Sequence, residues 1–419
     1  MKIRFVRGGI RMKKRMTFRQ FLFLVPLLLI IAVFSIWPIL TSFGYSFFDF
    51  RLNDVQKSTL SFTGTFSSRQ FRENSKYVTL FLTQDADEAA KDAKASAGFK
   101  AAVRDADAYA KEFSSLPDGK ISARQSQNLT DATKKLQEEV KSLYAKYPNK
   151  NYNNAASLPK IFKELNKSVS PSNFIGFAGY GKIAGDGRLF TALWHTVYFT
   201  VVSVAVEFIL GLALALIMNR AVRGIGLIRA GALIPWAIPT AVSALIWSYL
   251  YDGSSGIISH IFAQMRFIPS SESMLLTGPG AMSAAILTDV WKTTPYMALL
   301  LLAGLQVIDR GLYESSAIDG AGRVQTFFKI TLPLLKPSIL VAVLFRTLDA
   351  FRVYDLIAVL TGGGPGGSTE TLSVYAYKTM FSQMNFGYGA VIVMFMFACV
   401  LLIAVLFVKA LGANIMSTD

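Results

Sequence analysis

Charged side chains stand inside two long apolar runs of this 419-residue chain. The run MSAAILTDVWKTTPYMALLLLAGLQ at 282–306 carries Asp289, Trp291, Lys292 and Tyr296. The run SILVAVLFRTLDAFRVYDLIAVLT at 338–361 carries Arg346, Asp349, Arg352 and Asp355. Charges in apolar surroundings are costly, so both runs are candidate sites. Hydrogen-bonding groups beside aromatic faces are what a cleft needs to hold a polar ligand. The alternative is internal: Asp289 with Lys292, and Asp349 with Arg352, are i,i+3 pairs that would neutralise each other on one helix face. Both readings stay open on the sequence. Glu207, in a further apolar run, reads as a polar contact between helices.

Other chemistry finds little support. The two histidines, His195 and His260, have no metal-ligand company, and no nucleophile stands beside a base. GFAGYGKI at 176–183 fits G-x-x-x-x-G-K, but Ile183 stands where a phosphate-binding loop needs Ser or Thr for Mg²⁺. ATP hydrolysis by this chain is therefore not expected. The single cysteine, Cys399, reads as a small buried hydrophobe. The formal charge of +16 would suit nucleic acid, but much of it sits in a terminal tail, short loops and one lysine-rich segment. No nucleic-acid partner is expected.

The elements that would position these groups are helices. The chain is 52% hydrophobic, and its apolar residues fall in six blocks near 20–43, 193–218, 228–250, 282–306, 338–361 and 387–411. A bilayer core about 30 Å thick needs roughly 20 apolar residues per helix. Each block is continuous rather than alternating, which favours helices over a barrel. The first block lacks a small-residue cleavage pattern and carries Pro26 and Pro38, so it is read as a span, not a signal peptide. Before it, MKIRFVRGGIRMKKRMTFRQ holds eight basic residues and no acidic one. By the positive-inside rule this tail is cytoplasmic, and six spans return the C-terminus to the same side. Arg220, Arg223 and Arg229 after the second block, and Arg310, Arg323, Lys329 and Lys336 after the fourth, fall inside as the rule requires. The chain divides into a basic tail at 1–19, a first span at 20–50, an extracytoplasmic insertion at 51–188 and a five-helix core at 189–419.

The insertion is polar and Lys/Asp/Ala-rich. LSFTGTF and KYVTLFLT alternate as strands do. DADEAAKDAKASAGFKAAVRDADAYAKEF reads as helix, and PDGK at 117–120 as a turn. NLTDATKKLQEEVKSLYAKY sets Leu129, Ala132, Leu136, Val140 and Leu143 on one helical face. A helical hairpin with a small strand element is expected, either as a spacer or as a contact surface for an external partner.

ESSAIDGAGRVQTFFKITLPLLKP at 314–337 interrupts the core. Glu314 to Gly320 suits a short helix, and Gly320 with Gly322 permits a turn. Arg323 to Ile330 suits a second helix anchored by Phe327, Phe328 and Ile330, which Pro333 and Pro337 would stop. Such a helix–turn–helix on the cytosolic side is a rigid knob that can pass a push to the spans.

The pattern E-x-x-A-x-D-G-A-G, followed by I-T-L-P, resembles the cytoplasmic loop of permease subunits of bacterial ABC importers, and most of all their carbohydrate branch. Here it is Glu314, Ala317, Asp319, Gly320, Ala321 and Gly322, then Ile330, Leu332 and Pro333. Ser315 and Ser316 replace small residues of the family pattern. DVWKTTPYMALLLLAGLQ and FRVYDLIAVLTGGGPGGSTETLSVYAYKTMF resemble the stretches that flank that loop, and FIGFAGYGKIAGDGRLFTALWHTVYFT resembles the start of the family's second span. The resemblance covers 20–50 and 175–419. An enlarged outer domain in that position is similar to maltose/maltodextrin-type permeases.

The resemblance implies an all-α polytopic membrane protein with six transmembrane helices of the ABC importer permease type, in a bacterial cell membrane. It implies a second homologous permease subunit, two ATPase subunits docked on the loop within 308–337, and an extracytoplasmic sugar-binding protein. ATP and Mg²⁺ would be used by the ATPases, with no cofactor on this chain. The midplane path would run past the polar residues of the fourth and fifth spans, and the family analogy adds Tyr296, just before the cytosolic loop, to the candidate sugar contacts. Rival readings are a permease for another solute, such as a glycerol phosphoester or an acidic sugar, and a membrane-anchored surface protein.

Overall fold

The computed structural model describes residues 18–54, 57–148, 152–219 and 224–415. The tail at 1–17 and two of the arginines expected on the inner side, Arg220 and Arg223, lie outside the described residues. Among the described residues, four helices are long and apolar enough to cross a bilayer: Leu24–Tyr45, Gly187–Met218, Arg323–Phe351 and Phe386–Ala410. Two further spans are bent pairs, Ile225–Ala237 with Thr240–Leu250 at 88° and Gly278–Val307 with Arg310–Ile318 at 69°. With each pair counted as one, there are six, numbered 1 to 6 along the chain. Span 1 ends at Tyr45, before the expected boundary at 50, and its side chains from Leu27 to Leu40 point largely outward, as a lipid-facing helix requires.

The core is built on spans 2, 4 and 5. Asp186 caps span 2 by accepting a hydrogen bond from the Leu189 backbone at 3.1 Å. Span 4 turns a face of small residues inward, with Ala281, Ala284, Ala285 and Ala298 fully buried. Small residues let helix backbones approach in a membrane, where no hydrophobic force drives helices together. Gly211 of span 2 is such a place: a Cβ there would come within 2.7 Å of Met297 and 3.3 Å of the Ala298 nitrogen.

Three expectations about the core need correction. The block at 228–250 is not one straight span, because the chain breaks between Ala237 and Thr240. Pro239 removes a donor there and Ile238 is extended, as a residue before proline prefers. The helix of span 5 ends at Phe351, and Asp355 opens a separate short helix, Asp355–Leu360. Pro333 and Pro337 do not stop the helix that begins at Arg323; it runs on through Phe351. A π-turn at Phe327–Thr331 and the position of Pro333 in the first α-helical turn after it let the helix pass without the missing donors.

The segment between spans 1 and 2 has its own core. Helices Ser68–Ala89, Ala93–Ser114, Ala123–Lys146 and Leu158–Asn166 pack around Phe71, Leu82, Leu129 and Phe162. They stand on a three-stranded antiparallel sheet in which Gly64–Phe66 lies between Gly119–Ile121 and Val169–Ser170. KYVTLFLT is helix, not strand. Phe71, Ser75, Val78 and Leu82 recur at helical spacing and are buried, so packing overrides the local β preference. The single helix expected over 85–113 is two, restarted by Asp92, whose carboxylate accepts from the Lys94 backbone at 2.9 Å. In Ala123–Lys146, Leu129, Leu136 and Val140 are buried on one face, and a Ser122–Gln125 capping box starts the helix.

This segment is tied to the spans by backbone and side chain together. Asn173 donates to the carbonyls of Asp49, Lys57 and Thr59 and accepts from the Ser61 backbone. The Leu52 nitrogen donates to the Met384 carbonyl at 3.0 Å, and the Gly387 nitrogen to the Phe50 carbonyl at 2.9 Å, which joins the neck to the start of span 6.

Candidate functional site

The break in span 3 leaves backbone carbonyls without helical partners. Lys292 of span 4 supplies donors: its ammonium reaches the Ile238 carbonyl at 2.6 Å and the Trp236 carbonyl at 3.3 Å. A cation at the C-terminal end of a helix is also favoured by the helix dipole. Lys292 therefore caps span 3 and makes no ion pair with Asp289 within hydrogen-bonding distance, contrary to the simple i,i+3 pairing.

Asp289 turns to Arg346 instead. Arg346 is 1% exposed and Glu207 is fully buried. The guanidinium donates through Nε to Glu207 Oε2 at 2.6 Å and through Nη2 to Glu207 Oε1 at 3.0 Å. The same Nη2 donates to the Asp289 carboxylate, and Nη1 donates to Asp349 Oδ2 at 3.2 Å. One fork thus joins spans 2, 4 and 5, using the bidentate geometry that lysine lacks. Asp349 is the outermost member, with a side chain 60% exposed, and its Oδ1 lies 3.9 Å from Arg352. The Asp349–Arg352 pair exists, but as a loose and solvent-open contact.

These groups face one cavity of about 590 Å³. Asp289, Lys292, Asp349, Arg352 and Asp355 all line it, together with Arg346. Its aromatic surfaces are Trp236, at the break in span 3, and Tyr354, after the end of span 5. Tyr296 is one layer back. Its ring stacks on Trp236 with centroids 5.7 Å apart and planes 14° from parallel. Tyr354 is likewise supported by Tyr377 at 4.9 Å. Sequence reasoning did not single out Trp236 or Tyr354. The signal for Trp236 was present in IPWAIP, two prolines flanking a tryptophan inside an apolar block. Arg346 was noted only as a charge within its run; the signal for its pairing was weaker, since Glu207 and Asp289 come from helices 139 and 57 residues away in sequence.

The glycine-rich segment joining spans 5 and 6 is fixed beside this core. Glu370 is buried and accepts from Arg188 at 2.7 and 2.9 Å and from Lys378 at 3.1 Å. Burial pushes the Glu370 carboxyl up, but Arg188 and Lys378 more than offset it and hold it below the usual glutamate range. A carboxyl lowered by its partners stabilises the fold at neutral pH, and that stability is lost on acidification. His195 contacts the Glu370 carbonyl and His260 the Gly256 carbonyl. No group of potential metal ligands occurs among the described residues.

The stretch from Glu314 to Pro333 forms a defined turn. Helix Arg310–Ile318, capped by Asp309, is closed by Gly320 at φ +76°, a conformation that residues with a Cβ resist. The Ala321 nitrogen donates to the Ser316 carbonyl at 2.9 Å and the Gly320 nitrogen to the Ala317 carbonyl at 3.1 Å, the two bonds of a Schellman cap. Gly322 then begins helix Arg323–Thr326. Ser316 is buried against the turn, which suits its small size. Glu314, Ala317, Asp319, Gly320, Gly322 and Pro333 are exposed, while Ala321, Ile330 and Leu332 are half-buried. Ile318 at 87% and Val324 at 72% present bare apolar surface beside them. Phe328 also points outward and does not anchor the helix.

Residues 207–416 match the family of binding-protein-dependent transport system inner membrane components, and the chain belongs to that family. It is therefore a membrane permease component. Over 236 residues it is 44% identical to the trehalose/maltose transport system permease protein MalF of Thermococcus litoralis, covering 56% of this chain and 79% of that protein. It is 38% identical over 241 residues to the sulfoquinovosyl glycerol transport system permease protein SmoG of Agrobacterium fabrum, covering 57% of this chain and 77% of that one. A chain of a bacterial ABC transporter involved in import of the acidic polysaccharide alginate shares the fold with a TM-score of 0.52 at 20% identity, across 67% of this chain and 99% of that one.

The Arg346 fork gives a direct expectation for stability. Arg346→Met should leave Glu207 and Asp289 buried without their cation and cost about 3–5 kcal/mol. Thermal unfolding of the purified protein in detergent measures this, with exposed Arg323→Met as the control that should be near neutral.

Proposed function

We propose that this chain is the transmembrane permease subunit of an ATP-driven importer of carbohydrate, and that the 590 Å³ cavity between spans 3, 4 and 5 is its half of the solute path. The observation that carries this reading is the broken span 3. Irregular backbone inside a membrane is tolerated where it lines a cavity, and a broken helix is where transporters place solute. Here the break brings Trp236 beside carboxylates and amines, the combination of aromatic face and hydrogen-bonding edge that a sugar ring uses. Solute would be exposed alternately to each side as the spans rock.

Coupling would pass through the stretch from Glu314 to Pro333. Its exposed Schellman turn and bare Ile318 and Val324 suit a cleft in a cytosolic ATPase, and two such ATPases would bind the ATP and Mg²⁺. A second homologous permease would complete the path. An extracytoplasmic binding protein would deliver the sugar, with the segment at 51–188 on its side of a bacterial cell membrane and both termini in the cytoplasm. The partner set rests on the family and on the resemblance of the cytosolic loop.

Three measurements test this reading. Gly320→Trp should abolish sugar uptake while the protein still inserts. A side chain at φ +76° costs about 1–2 kcal/mol and would also project from the docking surface. Uptake at the wild-type rate would remove the coupling assignment. For orientation, a cysteine at Lys134 should react with an impermeant thiol reagent in intact cells of a Cys399→Ser background, and one at Arg323 should not; the reverse pattern would invert the topology. For the path, Trp236→Ala should lower uptake per assembled complex about tenfold, from loss of a stacking face of roughly 1.4 kcal/mol. Tyr296→Ala, which removes only the support behind Trp236, should fall between wild type and Trp236→Ala, and a larger loss at Tyr296 would place it in direct contact with sugar.

A further inference from the structure

The helix before the break in span 3 is lightly anchored. None of the side chains of Ile225–Ala237 is fully buried, and half-buried residues such as Ala232 pack it on the core. At its end, span 4 holds it in two ways. Lys292 donates to the carbonyls of Ile238 at 2.6 Å and Trp236 at 3.3 Å. Tyr296 stacks on the Trp236 ring with centroids 5.7 Å apart. Lys292 and Tyr296 stand one helical turn apart, so both contacts come from one face of span 4. One holds the backbone at Trp236 and the other holds its ring. Lys292 is 7% exposed and is in no ion pair among the described residues. A buried ammonium is costly, and its bonds to the break are what offset that cost. Trp236 is 46% exposed and lines the cavity, so surface remains on it for a solute.

We propose that Lys292 is a positioning residue of the solute site, one that sets affinity by holding Trp236 at the cavity wall rather than by touching the solute. The inference rests on the reading of this cavity as a carbohydrate path and deepens it. A sugar stacks well on an aromatic face that is already fixed, because ordering a loose side chain or backbone on binding is subtracted from the affinity. The extended backbone at Ile238 leaves the Trp236 end of its helix without a following turn to order it. Hydrogen bonds to the Trp236 and Ile238 carbonyls do so instead, and a charged donor makes them stronger than neutral ones. Backbone and ring are released together if span 4 moves away from the break, so the affinity of the site depends on the apposition of spans 3 and 4. An ammonium has three donors, and the third makes direct contact with the solute the rival account. Direct contact predicts independent losses from Lys292 and Trp236. A positioning role predicts that Lys292 matters only while the Trp236 ring is present.

The test uses the assembled transporter, with its second permease and ATPases, purified in detergent without the binding protein. Equilibrium binding of maltose and of trehalose is measured per assembled complex. Lys292→Met keeps the bulk and removes the donors, and should weaken sugar binding about tenfold. Lys292→Arg keeps the charge and donors and should recover most of that loss. In a Trp236→Ala background, Lys292→Met should weaken binding by less than about twofold further. Lys292→Gln, whose amide is a shorter donor, goes through the same cycle and should fall between wild type and the Met variant, so the comparison stands even where the Met variant does not assemble. Wild-type affinity per assembled complex in the Met and Gln variants overturns the inference and assigns Lys292 to the fold alone. An Arg variant no better than the Met variant also overturns it. Losses that multiply in the double variant overturn it in favour of direct contact. All three results leave the carbohydrate reading standing. Undiminished binding in Trp236→Ala removes Trp236 from the path, and binding of neither sugar by the wild type overturns the carbohydrate reading; either result takes this inference with it.

Discussion

A single guanidinium inside the membrane core constrains the rest of this structure. Arg346 cannot be buried uncharged, since its proton affinity is too high for any environment to remove. It therefore demands acceptors, and the three it finds come from three different stretches of chain. Glu207 holds it in two places from span 2, Asp289 reaches it from span 4, and Asp349 follows one turn later on its own helix. Removing two ions from water costs several kcal/mol each, and good geometry with full hydrogen bonding is what recovers it. Apolar residues replacing the guanidinium and its carboxylates all together would pack as well, whereas losing one member alone is costly. The arrangement earns its place by fixing register: spans 2, 4 and 5 have only one relative setting in which the fork is satisfied, and that setting leaves Asp349 at the cavity wall.

The break in span 3 follows the same logic on a smaller scale. Pro239 ends the helix and frees two carbonyls, and Lys292 of span 4 satisfies them. A cation placed one turn from Asp289 is thus directed away from it, because unpaired carbonyls in an apolar interior are as much in need of a donor as a carboxylate is. Trp236 sits at the 88° break, backed by Tyr296, and lines the cavity.

Much of this was legible in the sequence, and the unread part has a common cause. Apolar blocks specify spans, because bilayer thickness and hydrogen-bond satisfaction leave few alternatives. The helix face of Leu129, Leu136 and Val140 was readable because its period is local. The pairing of Asp289 was not. Periodicity along one helix offers Lys292 as the nearest partner, whereas the actual partner lies 57 residues away on another span. KYVTLFLT failed for a related reason, since its Tyr, Val, Thr and Phe favour a strand locally, but its burial is decided by Phe71 and the neighbouring helices. Asp355 was assigned to span 5 because Arg352, Val353 and Tyr354 carry no proline or glycine to mark the end of the helix that the structure places at Phe351.

The continuity of the helix from Arg323 to Phe351 links the two halves of the proposed mechanism. Arg346 lies 23 residues after Arg323, roughly 35 Å at 1.5 Å per residue. A stop at Pro333, as sequence logic expects, would have placed a hinge between the Gly320 turn and the Arg346 fork. The structure instead carries one rod through that point, with its irregular turn confined to Phe327–Thr331, next to the exposed surface. In the proposed mechanism a displacement of the Gly320 turn would be carried along this rod, past the close packing of Leu335 and Ser338 on Gly304 of span 4, to the bonds of Arg346 with Glu207 and Asp289. Because those bonds are short, directional and buried, they resist small displacements and break together under large ones. Two discrete arrangements of span 5 against spans 2 and 4 follow more naturally from such a contact than a continuous slide does, and a carrier that must never be open on both sides at once needs that discreteness.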